Sequence, residues 1–151
     1  MYLINHAAIG IALASQVSNP VAAFGIGWVS HYLADFFPHG DEGVGEWAAR
    51  KNEIPRILGI VAIDGMLFLG AFAWFSAHQG FSWSAAAAAI GSFVPDIMWG
   101  LEKLAGRKLF GIFERLHSWN HNYFKIKLPV FAGVSLQIMF AAALWGWLTL
   151  R

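Results

Sequence analysis

The stretch Val21-Ala-Ala-Phe-Gly-Ile-Gly-Trp-Val-Ser30-His31-Tyr-Leu-Ala-Asp35-Phe-Phe-Pro38-His39-Gly-Asp41 is an apolar run that ends on two histidines and two aspartates. Read as a helix, it places His31 and Asp35 four residues apart on one face. Pro38 then stops the helix and lets His39 and Asp41 turn back toward the same point. Ionisable groups inside a membrane segment cost on the order of 2.5 to 3.5 kcal/mol each even on the mildest scale, so unpaired charges here call for a partner. The spacing is that of metal ligands, against the plainer reading of a helix end that has reached water.

The rest of the chain supports the membrane setting. Of 151 residues, 58% are hydrophobic and only 13% charged, with eight Trp and thirteen Phe. This composition points to an all-α integral membrane protein of one domain, residues 1–151, rather than a soluble fold. A net charge of +1 removes any bulk electrostatic case for nucleic acid. With no cysteine, disulfides, thiolate ligands and thiol nucleophiles are excluded, and His, Asp and Glu remain as ligands. That donor set suits Zn, Mn or Fe rather than Ca. Ala12-Leu13-Ala14 resembles a cleavage site, but the positive n-region of a signal peptide is missing, so the first segment reads as a retained helix.

Five apolar segments, at about 4–17, 21–37, 57–77, 83–101 and 128–150, predict about five transmembrane helices. The first two are short and joined at Ser18-Asn19-Pro20, which reads as a hairpin turn. Residues 107–122 alternate with a helical period, Leu109, Ile112, Phe113, Leu116 and Trp119 against Glu114, His117, Ser118 and His121. They predict an amphipathic cytoplasmic surface helix with its polar side toward the site. If all five segments cross, Arg50, Lys51, Arg56, Lys103, Arg107, Lys108, Arg115, Lys125 and Lys127 fall on one side, nine of the ten Lys and Arg. The positive-inside rule makes that side cytoplasmic, together with the N-terminus.

This topology brings polar residues from separate segments to one membrane face. It predicts a single pocket lined by His6, His31, Asp35, His39, Asp41, Asp64, Asp96, His117 and His121, with His78 alone at the opposite face. Glu114, His117 and His121 share a helical face and supply ligands or a base, or else are an ordinary solvated face. Asp96 follows Pro95, which can distort a helix and free a carbonyl, so a capping role competes with a catalytic one. Asp64 is buried in the third segment, with pairing to Arg56 as the modest alternative, and His6 is a ligand or an interfacial residue. Ala85 to Ala89 point to close helix packing.

Three short stretches, Asn5-His6-Ala-Ala-Ile-Gly10, Gly91-Ser-Phe-Val-Pro95-Asp96 and Arg115-Leu-His117-Ser118, resemble in that order the signatures of the bacterial membrane-bound metal-dependent hydrolases of the LexA-regulated inner-membrane type. The resemblance implies a divalent-metal hydrolase in the bacterial inner membrane, with His6, Asp96 and His117 carried over. The stretch from His31 to Asp41 is also similar to the His-x-x-x-Asp core of zinc-dependent phospholipase C and related nucleases, which carries over His31 and Asp35. The expected function is then hydrolysis of a phosphoester in a lipid or lipid-like substrate. His6, His31, Asp35, His39, Asp96, His117 and His121 are the metal-ligand candidates, and Asp41, Asp96 or Glu114 would take a proton. Arg107, Lys108 and Arg115 would hold the phosphate. The alternative is a haem- or pigment-binding accessory subunit of a larger membrane complex. A scaffold that has lost catalysis is a third reading.

Overall fold

In the computed structural model, which describes residues 1–40, 53–124 and 128–151, the apolar runs become six helices and no strands among the described residues. They are α1 (Leu3–Leu13), α2 (Pro20–Asp35), α3 (Glu53–Gln79), α4 (Trp83–Ala105), α5 (Ile112–Asn122) and α6 (Val130–Leu150). Asp41, Arg50, Lys51, Lys125 and Lys127 lie outside the described residues. Local chemistry sets the ends. Asn19 accepts from the backbone N–H groups of Val21 and Ala22 at 2.8 and 3.2 Å, with Pro20 in the first helical position. Gly106, at φ 62°, closes α4 in the left-handed conformation. The turn that follows is held by Glu102, whose buried carboxylate accepts from the N–H groups of Leu109 and Phe110. That turn is why α5 starts at Ile112 rather than near 107.

Three helices, α3, α4 and α6, are long and apolar enough to cross a membrane, fewer than the five expected. The difference lies in the hairpin. With 11 residues α1 is about 16 Å long, and with 16 residues α2 is about 24 Å, against a hydrocarbon core of about 30 Å. The sequence periodicity ran α1 on to residue 17, but the chain has to reverse before the Asn19 cap, so the helix stops at Leu13.

Despite its length, α1 is the centre of the bundle and packs on α2, α3, α4 and α6. Its Ala7, Ala8 and Ile11 form a core with Phe75, Ala85, Ala89, Trp145 and Leu148. The α2–α4 crossing is close because glycine permits it: a Cβ on Gly27 would stand 2.0 Å from the Ala88 carbonyl oxygen, and one on Gly91 2.1 Å from that of Phe24. Large apolar side chains of α3, among them Leu58, Met66, Leu69 and Trp74, point outward, as expected where the surrounding solvent is lipid.

Cross-links fix which ends lie together. Ser84 Oγ donates to the Ser18 carbonyl at 2.7 Å, and Gln79 Nε2 donates to the carbonyls of Thr149 and Arg151 at 2.8 and 2.9 Å. The opposite end therefore gathers the start of α1, the end of α2, the later half of α4, the start of α6 and the whole of α5. In α5, His117 and Asn120 are buried toward the bundle while Ile112, Leu116 and Trp119 face out, and Asn120 Nδ2 ties the helix to the Tyr32 carbonyl at 2.9 Å.

Candidate metal centre

Asp35 closes α2 at the point where four other segments arrive, and it is 2% exposed. Its Oδ2 lies 2.9 Å from His31 Nε2, 3.0 Å from His121 Nε2 and 3.6 Å from His117 Nε2. Its Oδ1 lies 3.1 Å from His6 Nε2 and 3.7 Å from His39 Nε2, and 2.8 Å from the Met1 α-ammonium. Asp96 adds a second carboxylate, with Oδ1 3.2 Å from His117 Nε2 and 3.8 Å from His31 Nε2. Five of the six histidines thus turn an Nε2 toward one carboxylate, and His78 lies near the far end of α3, with Nδ1 on the Trp74 carbonyl.

Two of these rings are held in a defined orientation by backbone carbonyls. His31 Nδ1 is 2.8 Å from the Ser92 carbonyl oxygen and His39 Nδ1 is 2.7 Å from that of Phe37. A carbonyl only accepts, so each Nδ1 carries a proton and each ring turns its Nε2 toward the cluster. The Nε2 of His31 is 2.9 Å from the Asp35 carboxylate. Both ring nitrogens of His6, the Nε2 of His31 and the Oδ2 of Asp35 are buried without a hydrogen-bond partner among the described residues. Orphaned groups of this kind are expensive unless a cation lies between them.

The distances fit such a cation. Ligand atoms at 2.0 to 2.1 Å from a tetrahedral zinc stand about 3.3 Å apart, and the separations here run from 2.9 to 3.8 Å. One set of ligand atoms from His31, Asp35, Asp96 and His117, and another from Asp35, His39 and His121, each lie within 4.8 Å of one another. The cluster can therefore hold a metal ion, and the Nδ1-to-carbonyl bonds are the outer contacts that orient imidazole ligands.

Other residues from the sequence reading sit elsewhere. Asp64 accepts from the backbone N–H groups of Leu3 and Ile4 and caps α1, so its charge meets the orphan donors of a helix start rather than the histidines. This corrects its placement in the pocket. Glu114 accepts from Ser118 Oγ at 2.9 Å and pairs with Lys108 at 3.6 Å, apart from the cluster. Arg107, Lys108 and Arg115 are exposed on the same end of the bundle. α4 runs unbroken through Pro95, and the carbonyl put to use nearby is that of Ser92.

A supporting layer escaped the sequence reading. Gln137 of α6 donates from Nε2 to the His39 carbonyl at 2.8 Å, and its Oε1 accepts from Asn5 Nδ2 at 2.6 Å and the Tyr2 N–H at 3.2 Å. It links α1, α6 and the His39 loop. The signal was present: Gln137 is an uncompensated amide in an apolar run, and buried amides need partners. Gly133 lets the same loop approach, since a Cβ there would stand 1.9 Å from the Gly40 carbonyl oxygen.

Comparisons of this chain with family models, with curated proteins and with solved structures find no match.

Proposed function

We propose that this protein is a membrane-embedded metal-dependent hydrolase acting on a phosphoester of a lipid or lipid-like substrate. The observation that carries the reading is the meeting of five imidazoles and two carboxylates in one cluster, largely sealed from solvent, in which the ring nitrogens of His6, the Nε2 of His31 and the Oδ2 of Asp35 have no hydrogen-bond partner among the described residues. A bound divalent ion, Zn foremost and Mn or Fe next, supplies Lewis acidity and brings the pKa of water toward neutrality. The chain supplies the rest. His31, Asp35 and His117 hold the ion. Asp96, the more open of the two carboxylates with its side chain 27% exposed, takes the proton. Arg107, Lys108 and Arg115 draw the phosphate to this end of the bundle.

Two further features support the reading. The residues carried over by the family resemblance, His6, Asp96 and His117, come from α1, α4 and α5 and all line this cluster. An apolar groove of about 470 Å³ lies between α1, α2 and α6, lined by Ile9, Leu33, Phe37, Leu136 and Phe140, and its head is formed by Met1, His39 and Gln137. A lipid chain in that groove would bring its head group to the metal from within the membrane. The concentration of Lys and Arg in these segments supports a cytoplasmic position for this end by the positive-inside rule, with a bacterial inner membrane as the setting the resemblance implies. Haem ligation fits less well, because His6 and His31 stack face to face at 3.9 Å instead of pointing end-on across a macrocycle.

The test is chelator-reversible release of phosphate or head group from mixed micelles of total bacterial phospholipid by the purified, metal-replete protein. Activity lost in His31→Ala and kept in His78→Ala is expected. Absence of any product, or a Soret band in the purified protein, refutes the proposal.

A further inference from the structure

The cluster offers more donors than one ion can use. Seven side chains converge, His6, His31, Asp35, His39, Asp96, His117 and His121. A catalytic zinc takes three protein ligands and keeps a position open, and even a six-coordinate ion with one open position would leave two of the seven bare.

Geometry sorts the donors into two groups that meet at Asp35. His31 at 2.9 Å and His117 at 3.6 Å lie on the Oδ2 side, and Asp96 joins them through its 3.2 Å approach to His117. His6 at 3.1 Å and His39 at 3.7 Å lie on the Oδ1 side. His121 is 3.0 Å from Oδ2, between the two groups, and joins His39 in the second set of ligand atoms. The two ligand sets, His31–Asp35–Asp96–His117 and Asp35–His39–His121, have Asp35 alone in common.

We propose that the centre binds two divalent ions bridged by the Asp35 carboxylate, the first on His31 and His117 with the Asp96 carboxylate beside it as the base, the second on His39 and His121 with His6 beside them. This deepens the metal-hydrolase reading and rests on it. Charge follows suit. Two divalent ions against two carboxylates leave the pocket positive, which suits an anionic phosphoester, and paired ions about 3.5 to 4 Å apart clamp the attacking and leaving oxygens of such a substrate.

Mn(II) is the probe. Full-length protein in detergent is stripped with chelator and titrated with Mn(II), and metal per chain is read by mass spectrometry while the spin state is read by low-temperature electron paramagnetic resonance. Two ions per chain are expected, the isolated Mn(II) signal giving way to an exchange-coupled one as the second binds. His39→Ala/His121→Ala should hold one uncoupled ion, and His78→Ala two coupled ones. Should the double variant fail to fold, the wild-type spectrum decides by itself. One ion at saturation, or two without coupling, overturns the bridged pair and leaves the metal reading standing. No bound metal overturns both.

Discussion

Replacing Asp35 by Asn is the sharpest perturbation the site allows. The change keeps the shape of a side chain in a position that is 2% exposed, so it leaves no cavity, but it removes the charge and one donor oxygen at the hub of five imidazoles. Zinc bound by four ligands in small folded peptides carries about 10 to 16 kcal/mol, so one ligand accounts for about 2.5 to 4 kcal/mol. At about 1.4 kcal/mol per decade, the metal Kd of Asp35→Asn should rise by about 10² to 10³-fold. Competition against a chromophoric chelator in detergent reads this directly, with His78→Ala as the variant expected to match wild type. Size-exclusion elution and far-ultraviolet circular dichroism check that the helices persist. If folded Asp35→Asn binds within threefold of wild type, Asp35 is an architectural anion and the metal centre as drawn is wrong.

The packing makes its own prediction. Gly27→Leu, whose Cβ alone would meet the Ala88 carbonyl oxygen at 2.0 Å, should destabilise the bundle by at least about 1 to 3 kcal/mol in thermal unfolding, whereas Gly65→Ala, with nothing within 4 Å, should not. Asp64→Ala should cost about 0.5 to 2 kcal/mol through the lost α1 cap while metal stoichiometry stays the same; a loss of bound metal in a folded variant would return Asp64 to the site. Gln137→Leu removes the bond to the His39 carbonyl and the links to Asn5 and Tyr2, and should weaken metal binding about 10- to 100-fold. An unchanged affinity there would show that the amide network serves packing only.

Much of the site was legible because two independent regularities point to the same place. Spacing put His31 and Asp35 on one helical face, and the lopsided distribution of Lys and Arg put the ends of the second and fourth segments and the histidines of α5 at one membrane side. The structure brings His6, His31, Asp35, His39, Asp96, His117 and His121 together there. Asp64 shows where such reasoning stops. Depth in the membrane fixes only one coordinate, and the rotation of α3 about its axis decides whether the carboxylate meets imidazoles or the start of α1. The number of spanning helices was overcounted for a similar reason: an apolar run says that a segment avoids water, whether by crossing lipid or by lying inside the bundle as α1 does.

What the sequence determined by itself is therefore the chemistry and the shared end: an all-helical chain that avoids water, a donor set of imidazoles and carboxylates without thiols, and one polar end. These follow from composition, period and charge, which are properties of residues and their order along the chain. Only the tertiary structure decided that Asp35 is the hub, that Ser92 and Gln137 orient the ring and loop around it, and that the donors fall into two sets with Asp35 in common. Those outcomes depend on contacts under 4 Å between helices far apart in sequence, made possible where Gly27, Gly91 and Gly133 let backbones touch, and no periodicity encodes a distance of that kind.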